Sequence, residues 1–215
     1  MNEYLHERSK LDQQLRSIGY KIPEGTIVKP YWTKYTDRII FLLRSRNLPF
    51  VVKICPFSQE AEREAKHFLL LQGSFRFSGA KFPTSSSQKL ERSNYHVLTM
   101  PWVGNSFIDL SIELYEGEYS INNKRPVFRG FTSNEITRLI NSFRRDHVQF
   151  AQKYRIIHGD IFPGTPNNIM YHPRIQHLFP IDAEALAPLN TESYNRFLNQ
   201  VDALESWMHE NLLQV

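Results

Sequence analysis

Hydrophobic and polar positions along this chain mix helical and strand spacing up to the break near residue 104 and turn mainly helical beyond it. In the first half, Leu5, Leu11, Leu15 and Ile18 recur at helical spacing in a segment that ends on Gly19, a residue suited to a helix C-terminus, which predicts a helix over about 2–18. Three short runs rich in β-branched and aromatic residues follow, TIVKPYW, DRIIFLLRS and PFVVKIC, separated by TKYT and RNL. They predict three consecutive antiparallel strands. SQEAEREAKHFLLLQG then predicts a helix with Ser58 as N-cap, early glutamates that complement the helix dipole, and Ala61, Ala65, Phe68 and Leu69 on the buried face. Residues 73–94 are polar and broken by Pro83 and a serine run, a connection with room for one weak strand. YHVLTM is a further strand, stopped by Pro101 and Gly104.

Beyond residue 105 the pattern turns helical. Residues 105–131 are irregular, with YEGEYSINNKRP as a loop or insertion. Thr132 and Glu135 form a capping box that opens a long helix, with Ile136, Leu139, Ile140, Phe143 and Val148 on one stripe. That helix leads to His158. Two short strands, IMYH and HLFPID, come next. A closing helix is predicted with Thr191 as N-cap and Tyr194, Phe197, Leu198, Val201, Leu204 and Met208 turned inward.

Composition narrows the class without naming a function. With 215 residues, 41% of them hydrophobic, the chain can bury a core in one large domain or two small lobes. The net charge of +4 is spread along the sequence with no basic block, which suits a solvated surface, a nucleotide or nucleic acid alike and decides little; no nucleic-acid partner is expected. A single cysteine, Cys55, excludes an internal disulfide and argues for a reducing compartment. Its place in FVVKIC predicts a buried small hydrophobe and not a nucleophile. The N-terminus has no signal-peptide pattern, and the longest aliphatic or aromatic run, IIFLL, is too short to cross a bilayer. The expectation is a cytoplasmic protein, or one delivered to a host cytosol by a route that leaves no mark in the sequence.

The stretch that carries chemistry is IIHGDIFPGTPNNIMYHP, residues 156–173, together with LFPIDAEAL. HGDIFPGTPNNIM and LFPID resemble the catalytic loop and the following metal-binding strand of the protein-kinase-like superfamily. The match is to the aminoglycoside and choline phosphotransferase branch and to the very small effector kinases that some bacterial pathogens inject into host cells. In-line phosphoryl transfer needs a carboxylate beside the attacking hydroxyl, and a carboxamide and second carboxylate to hold Mg²⁺ on the phosphates. The resemblance therefore implies Asp160 as catalytic base or hydroxyl-orienting group, Asn168 and Asp182 as metal ligands, and His158 as a brace for the loop. The loop departs from the family spacing in one place. The asparagine is due at residue 165, which is threonine; removing TPN restores HGDIFPGNIM, which assigns Asn168 with Asn167 as second choice.

By the same resemblance FVVKIC supplies Lys53, a catalytic lysine that contacts the phosphates of ATP. A lysine placed among Val51, Val52, Ile54 and Cys55 needs a carboxylate partner if it is buried. Glu60, Glu62 and Glu64 are the candidates, and EAKHFLLL favours Glu64. HVLTMPWVG resembles the fifth strand and hinge, which puts Met100, Trp102 and Val103 around the adenine. KPYWTKYTDR, where a phosphate-covering hairpin belongs, contains no glycine.

The resemblance implies an α+β, two-lobed protein-kinase-like fold, with a small antiparallel-sheet N-lobe and a reduced helical C-lobe. The divisions are an accessory N-terminal helix over 1–20, an N-lobe and hinge over 21–104 and a C-lobe over 105–215. It implies an ATP- and Mg²⁺-dependent phosphotransferase, foremost a minimal protein Ser/Thr kinase with a protein substrate or an activating protein partner. A small-molecule phosphotransferase is the alternative, as is a pseudokinase that serves as a binding module. The short remainder after Asp182 leaves no room for a eukaryotic-type activation segment with its supporting helices.

Overall fold

The computed structural model describes residues 2–22, 27–31, 39–44, 49–56, 59–74, 86–89, 94–101, 104–107, 110, 128–166, 168–181 and 185–214. The chain is α+β, built from small antiparallel sheets and helices. It divides into two compact units, one of residues 1–69 and 79–102, the other of residues 70–78 and 103–215.

The first unit is organised on a five-stranded sheet. Helix α1 (Asn2–Ser17) precedes strands β1 (Ile27–Tyr31), β2 (Ile39–Arg44) and β3 (Pro49–Pro56), then helix α2 (Gln59–Ser74) and strands β4 (Ser86–Lys89) and β5 (Tyr95–Pro101). The sheet order is β1-β2-β3-β5-β4 and every neighbouring pair is antiparallel. The runs read as three consecutive strands do pair in sequence. Alternation along β3 sends Val52 and Ile54 to one face, where they cluster with Phe41, Val97 and with Leu11 and Leu15 of α1. Helix α1 thus supplies part of this core, and Gly19 (φ +79°) turns the chain after it.

One face assignment needs correction. Leu69 of α2, expected on the buried stripe, is 49% exposed, whereas Glu64, Ala65 and Leu71 are buried. At 100° per residue Leu71 lies about 20° from Glu64 and Leu69 about 140° away. The stripe is centred on Glu64 because that carboxylate meets Lys53, and Leu69 is rotated outward as a result. Ser58 lies outside the described residues, as do most of residues 73–94 around β4.

In the second unit, helices α3 (Ser133–Tyr154) and α4 (Thr191–Asn211) pack with a three-stranded sheet, β6-β8-β9 (Asn105–Ser106, Ile169–His172, His177–Pro180), and a two-stranded one, β10-β7 (Leu186–Pro188, Ile156–His158). The Thr132–Glu135 capping box is formed in both directions. The buried stripe of α3 runs through Ile136, Leu139, Ile140 and Phe143 and continues to His147, Phe150 and Ala151, leaving Val148 only half-buried. The helix ends on Arg155 in the left-handed region (φ 58°), and this turn feeds the chain into β7. Helix α4 begins one residue earlier than expected. Asn190, not Thr191, is the N-cap, because its carboxamide accepts from Ser193 N while Ser193 Oγ accepts from Asn190 N. Phe197, Val201, Leu204 and Met208 are buried; Tyr194 and Leu198 pack at the margin. Gly104 (φ +143°) is required where β6 meets β8, since a Cβ there would fall 2.2 Å from the Tyr171 carbonyl oxygen. Among the described residues, no helix is long and apolar enough to cross a membrane. The irregular segment proposed at YEGEYSINNKRP lies outside the described residues.

Candidate functional site

Strand β7 delivers His158 into the core of the second unit and leaves Asp160 half-buried just beyond it. Four hydrogen bonds then close a ring. The Asp160 backbone N–H donates to His158 Nδ1 at 3.3 Å, and His158 Nε2 meets the Ile181 carbonyl at 2.9 Å. Ile181 N donates to the Asn168 carbonyl at 2.8 Å, and Asn168 Nδ2 donates back to the Asp160 carbonyl at 2.6 Å. With Nδ1 accepting the Asp160 N–H, Nε2 is the ring nitrogen that donates to the Ile181 carbonyl. The ring thus joins Asp160, Asn168 and the residue that immediately precedes Asp182 in sequence. Asp182 and Asn167 lie outside the described residues.

The extra residues of the loop do not stretch the ring. Pro163, Gly164 and Thr165 are exposed, Gly164 takes φ +98° with open space around its Cα, and Pro166 is buried again. Of the three added residues Thr165 is exposed, Pro166 is buried and Asn167 lies outside the described residues, while Asn168 still reaches Asp160. Its orientation is set by the Nδ2 donor, which leaves Oδ1 as the atom suited to a hard cation. Among the described residues no cluster of three or more His, Cys, Asp or Glu side chains could hold a metal.

Two residues near this ring had no signal in the loop sequence. Gln200 of α4 accepts from Ile161 N at 2.7 Å and from Phe162 N at 3.4 Å, and its Nε2 donates to the Gly159 carbonyl at 3.1 Å. One carboxamide therefore fixes the backbone on both sides of Asp160. Gly159 N donates to Ala185 O at 2.8 Å, tying the same backbone to the turn before β10. His147 of α3 is fully buried, 6.4 Å from the His158 ring and 5.0 Å from Phe197 between centroids. Burial, reinforced by the neighbouring His158, holds its imidazole well below the usual histidine range, so it is neutral at physiological pH. Helical spacing from Phe143 was the signal that would have placed it on the buried stripe.

In the first unit, period 2 along β3 turns Lys53 to the face opposite Val52 and Ile54, level with Ile40 and Leu98 on the flanking strands. Its ammonium lies 2.5 Å from Glu64 Oε1, and the two residues are 5% and 2% exposed. Of the three glutamates, Glu64 is the one that meets Lys53; Glu62 is exposed and the Glu60 side chain lies outside the described residues. A lone ammonium in such a place would carry a large desolvation cost, so the carboxylate is what lets β3 bury a lysine. Met100 is half-buried on β5 and pairs in register with Val51. Trp102 and Val103 lie outside the described residues, as does the TKYT turn. Cys55 is buried, its thiol toward the His96 carbonyl.

Compared with known proteins, the chain matches no family model, and no curated protein matches it.

Proposed function

We propose that this chain is an ATP- and Mg²⁺-dependent phosphotransferase with a two-lobed, protein-kinase-like architecture, and that it works as a minimal protein Ser/Thr kinase. The observation that carries the reading is the hydrogen-bonded ring through His158, Asp160, Asn168 and Ile181. A turn between a helix and a strand needs none of those side chains. A phosphotransfer loop needs a carboxylate and a carboxamide held at fixed separation, with a second carboxylate close by in the fold. The buried Lys53–Glu64 pair supports the same reading independently, since it holds a cation on a sheet where the resemblance calls for a phosphate-contacting lysine.

The roles follow from the chemistry of each group. Asp160, set by its own N–H and C=O within the ring, orients the acceptor hydroxyl and takes its proton. Lys53, kept charged by Glu64, binds phosphate oxygens of the nucleotide. Asn168 Oδ1 and the Asp182 carboxylate are the oxygens that would hold Mg²⁺, and Met100, Trp102 and Val103 would surround adenine. When bound, the metal neutralises charge on the phosphates and aligns them for in-line transfer. His158 keeps Asp160 and the segment before Asp182 in register. The first 20 residues form an accessory helix, residues 21–104 the smaller lobe with its hinge, and residues 105–215 the reduced larger lobe.

The test is transfer of labelled γ-phosphate from ATP to protein hydroxyls, with Mg²⁺, by the parent and the Asp160→Ala variant. Asp160→Ala is expected to lower turnover by roughly 10² to 10⁴, the range for losing a positioned acid or base. Mg·ATP should also raise the melting midpoint, by about 2.7 kcal/mol of stability at a hundredfold excess over Kd. Parental turnover in both Asp160→Ala and Asp182→Ala, or a midpoint unmoved by millimolar nucleotide, sinks the proposal.

A further inference from the structure

Beside the candidate catalytic loop, and within the same unit, lies an open groove of about 450 Å³ lined by Phe162 and by Glu192, Asn195, Arg196, Asn199 and Gln200 of α4, with Ala203 at its end. Those α4 positions recur at i, i+3, i+4, i+7, i+8 and i+11, the face opposite the buried Phe197, Val201, Leu204 and Met208. The groove is continuous with the catalytic loop: Phe162 is two residues from Asp160, and Gln200 bonds the backbone of Gly159, Ile161 and Phe162. A substrate lying in it therefore abuts the backbone that positions Asp160.

We propose that this groove docks the phosphate acceptor, and that the acceptor is an extended Ser- or Thr-bearing peptide segment. The inference rests on the phosphotransferase reading and names its substrate class. The first argument is hydrogen-bond complementarity. Asn195 and Asn199 are exposed carboxamides one helical turn apart, and a carboxamide both donates and accepts, as a peptide unit does. Four residues of helix rise about 6 Å, and two residues of extended chain span about 6.6 Å. Successive asparagines on α4 therefore meet alternate peptide units of a strand laid along the helix. A compact metabolite has no such repeat.

The second argument is charge. Glu192 and Arg196 are exposed and make no ion pair among the described residues. Glu192 stands eight residues from Gln200, about 12 Å along the helix axis, which is the length of about four extended residues. With the acceptor hydroxyl at the Gln200 end, beside the loop, a basic peptide residue about four positions away reaches Glu192, while Arg196, about 6 Å along the axis from Gln200, disfavours a basic residue about two positions away.

A Ser-centred peptide library, scanned position by position with arginine, lysine, aspartate and glutamate, tests this with labelled ATP. The parent is expected to favour a basic residue about four positions from the serine, and Glu192→Lys to reverse that preference toward acidic residues. Asn195→Ala/Asn199→Ala is expected to raise the peptide KM about tenfold, the equivalent of two ordinary hydrogen bonds. The KM for ATP and the melting midpoint are read alongside: Asn195 and Asn199 are exposed, so substitution there leaves the midpoint within about 1–2 °C of the parent, while Glu192→Lys reverses a charge in the first turn of α4 and is expected to lower the midpoint by about 2–4 °C. Three results overturn the proposal: an unreversed charge preference in Glu192→Lys, a peptide KM within about twofold of the parent in the double variant, or transfer by the parent to small hydroxylated compounds but not to peptides. Absence of any ATP turnover together with a melting midpoint unmoved by Mg·ATP overturns the phosphotransferase reading itself. That result is distinguishable from an active enzyme indifferent to its groove.

Discussion

Gln200 is the residue whose removal best separates a held loop from an ordinary turn. Leucine at this position keeps a branched side chain of similar volume, one bond shorter, while deleting its donor and its acceptor. The Ile161 N–H, bonded at 2.7 Å, and the Gly159 carbonyl, bonded at 3.1 Å, then lose their partner; the 3.4 Å contact from Phe162 N is long and contributes little. A buried backbone group left unsatisfied costs about 1–3 kcal/mol, and these groups are only partly buried, so the pair is expected to cost about 2 kcal/mol in Gln200→Leu. For a domain of this size 1 kcal/mol moves Tm by about 2–4 °C, which predicts a fall of about 4–8 °C. Amide hydrogen exchange at Ile161 should accelerate well above that at Leu204, which the substitution does not touch. Gln200→Glu retains the acceptor for Ile161 N–H and should restore its protection while leaving Gly159 O unpaired. Under the proposed chemistry a displaced Asp160 lowers kcat by a factor of order 10². An Ile161 exchange rate equal to the parent's, with Tm within about 1 °C, refutes the claim that this carboxamide holds the loop.

Two further outcomes follow from buried charge. Lys53→Met takes the ammonium away from the buried Glu64 carboxylate and is expected to destabilise by about 3–5 kcal/mol, whereas Lys53→Met/Glu64→Leu removes both charges and should cost much less; a urea double-mutant cycle in which the losses of Lys53→Met and Glu64→Leu simply add counts against a coupled pair. His147 is held neutral in the native state while the unfolded chain takes up protons near pH 6.5. Below that pH the unfolded state binds more protons, so stability is full above it and falls on acidification, by up to about 1.4 kcal/mol per pH unit for one such histidine. His172 and His177 are shifted downward by burial as well and act in the same sense. Urea midpoints followed below about pH 6.5 should show a shallower acid limb in His147→Leu; equal slopes in the two proteins overturn the assignment.

What the sequence makes legible is whatever repeats locally. The antiparallel strands β1 to β3, the capping box at Thr132 and the apolar stripes of α3 and α4 are each written in neighbouring residues, and each is present. Glu64 was singled out by the resemblance, which favours a glutamate followed by apolar residues at four and seven positions. β6 and β10, of two and three residues, carry too few positions for any period to register. Leu69 was misread because the stripe was drawn from apolar residues alone, and the partner of a buried lysine shifted its centre. Gln200 was invisible for another reason. It acts on backbone groups 38 to 41 residues away, so no local pattern marks it.

The TPN segment shows how a spacing rule and a physical requirement come apart. In the ring that holds Asp160 only two side chains are specified, His158 and Asn168; every other partner is a backbone N–H or carbonyl that any sequence supplies. The ring fixes where the loop begins and ends and is indifferent to its length. Closing eight residues in place of five costs about 0.4 kcal/mol more by chain entropy. Pro163 and Pro166 restrict the open chain, and Gly164 takes the one left-handed position without strain, so even that small cost is partly offset. An insertion that breaks the motif as a string is therefore nearly free as a structure, because Asn168 keeps its bond to the Asp160 carbonyl across it. Its first residue, Thr165, is exposed three residues beyond Phe162, which lines the groove on α4. The departure from the spacing that the resemblance calls for thus leaves the Asn168 carboxamide tied to the Asp160 backbone.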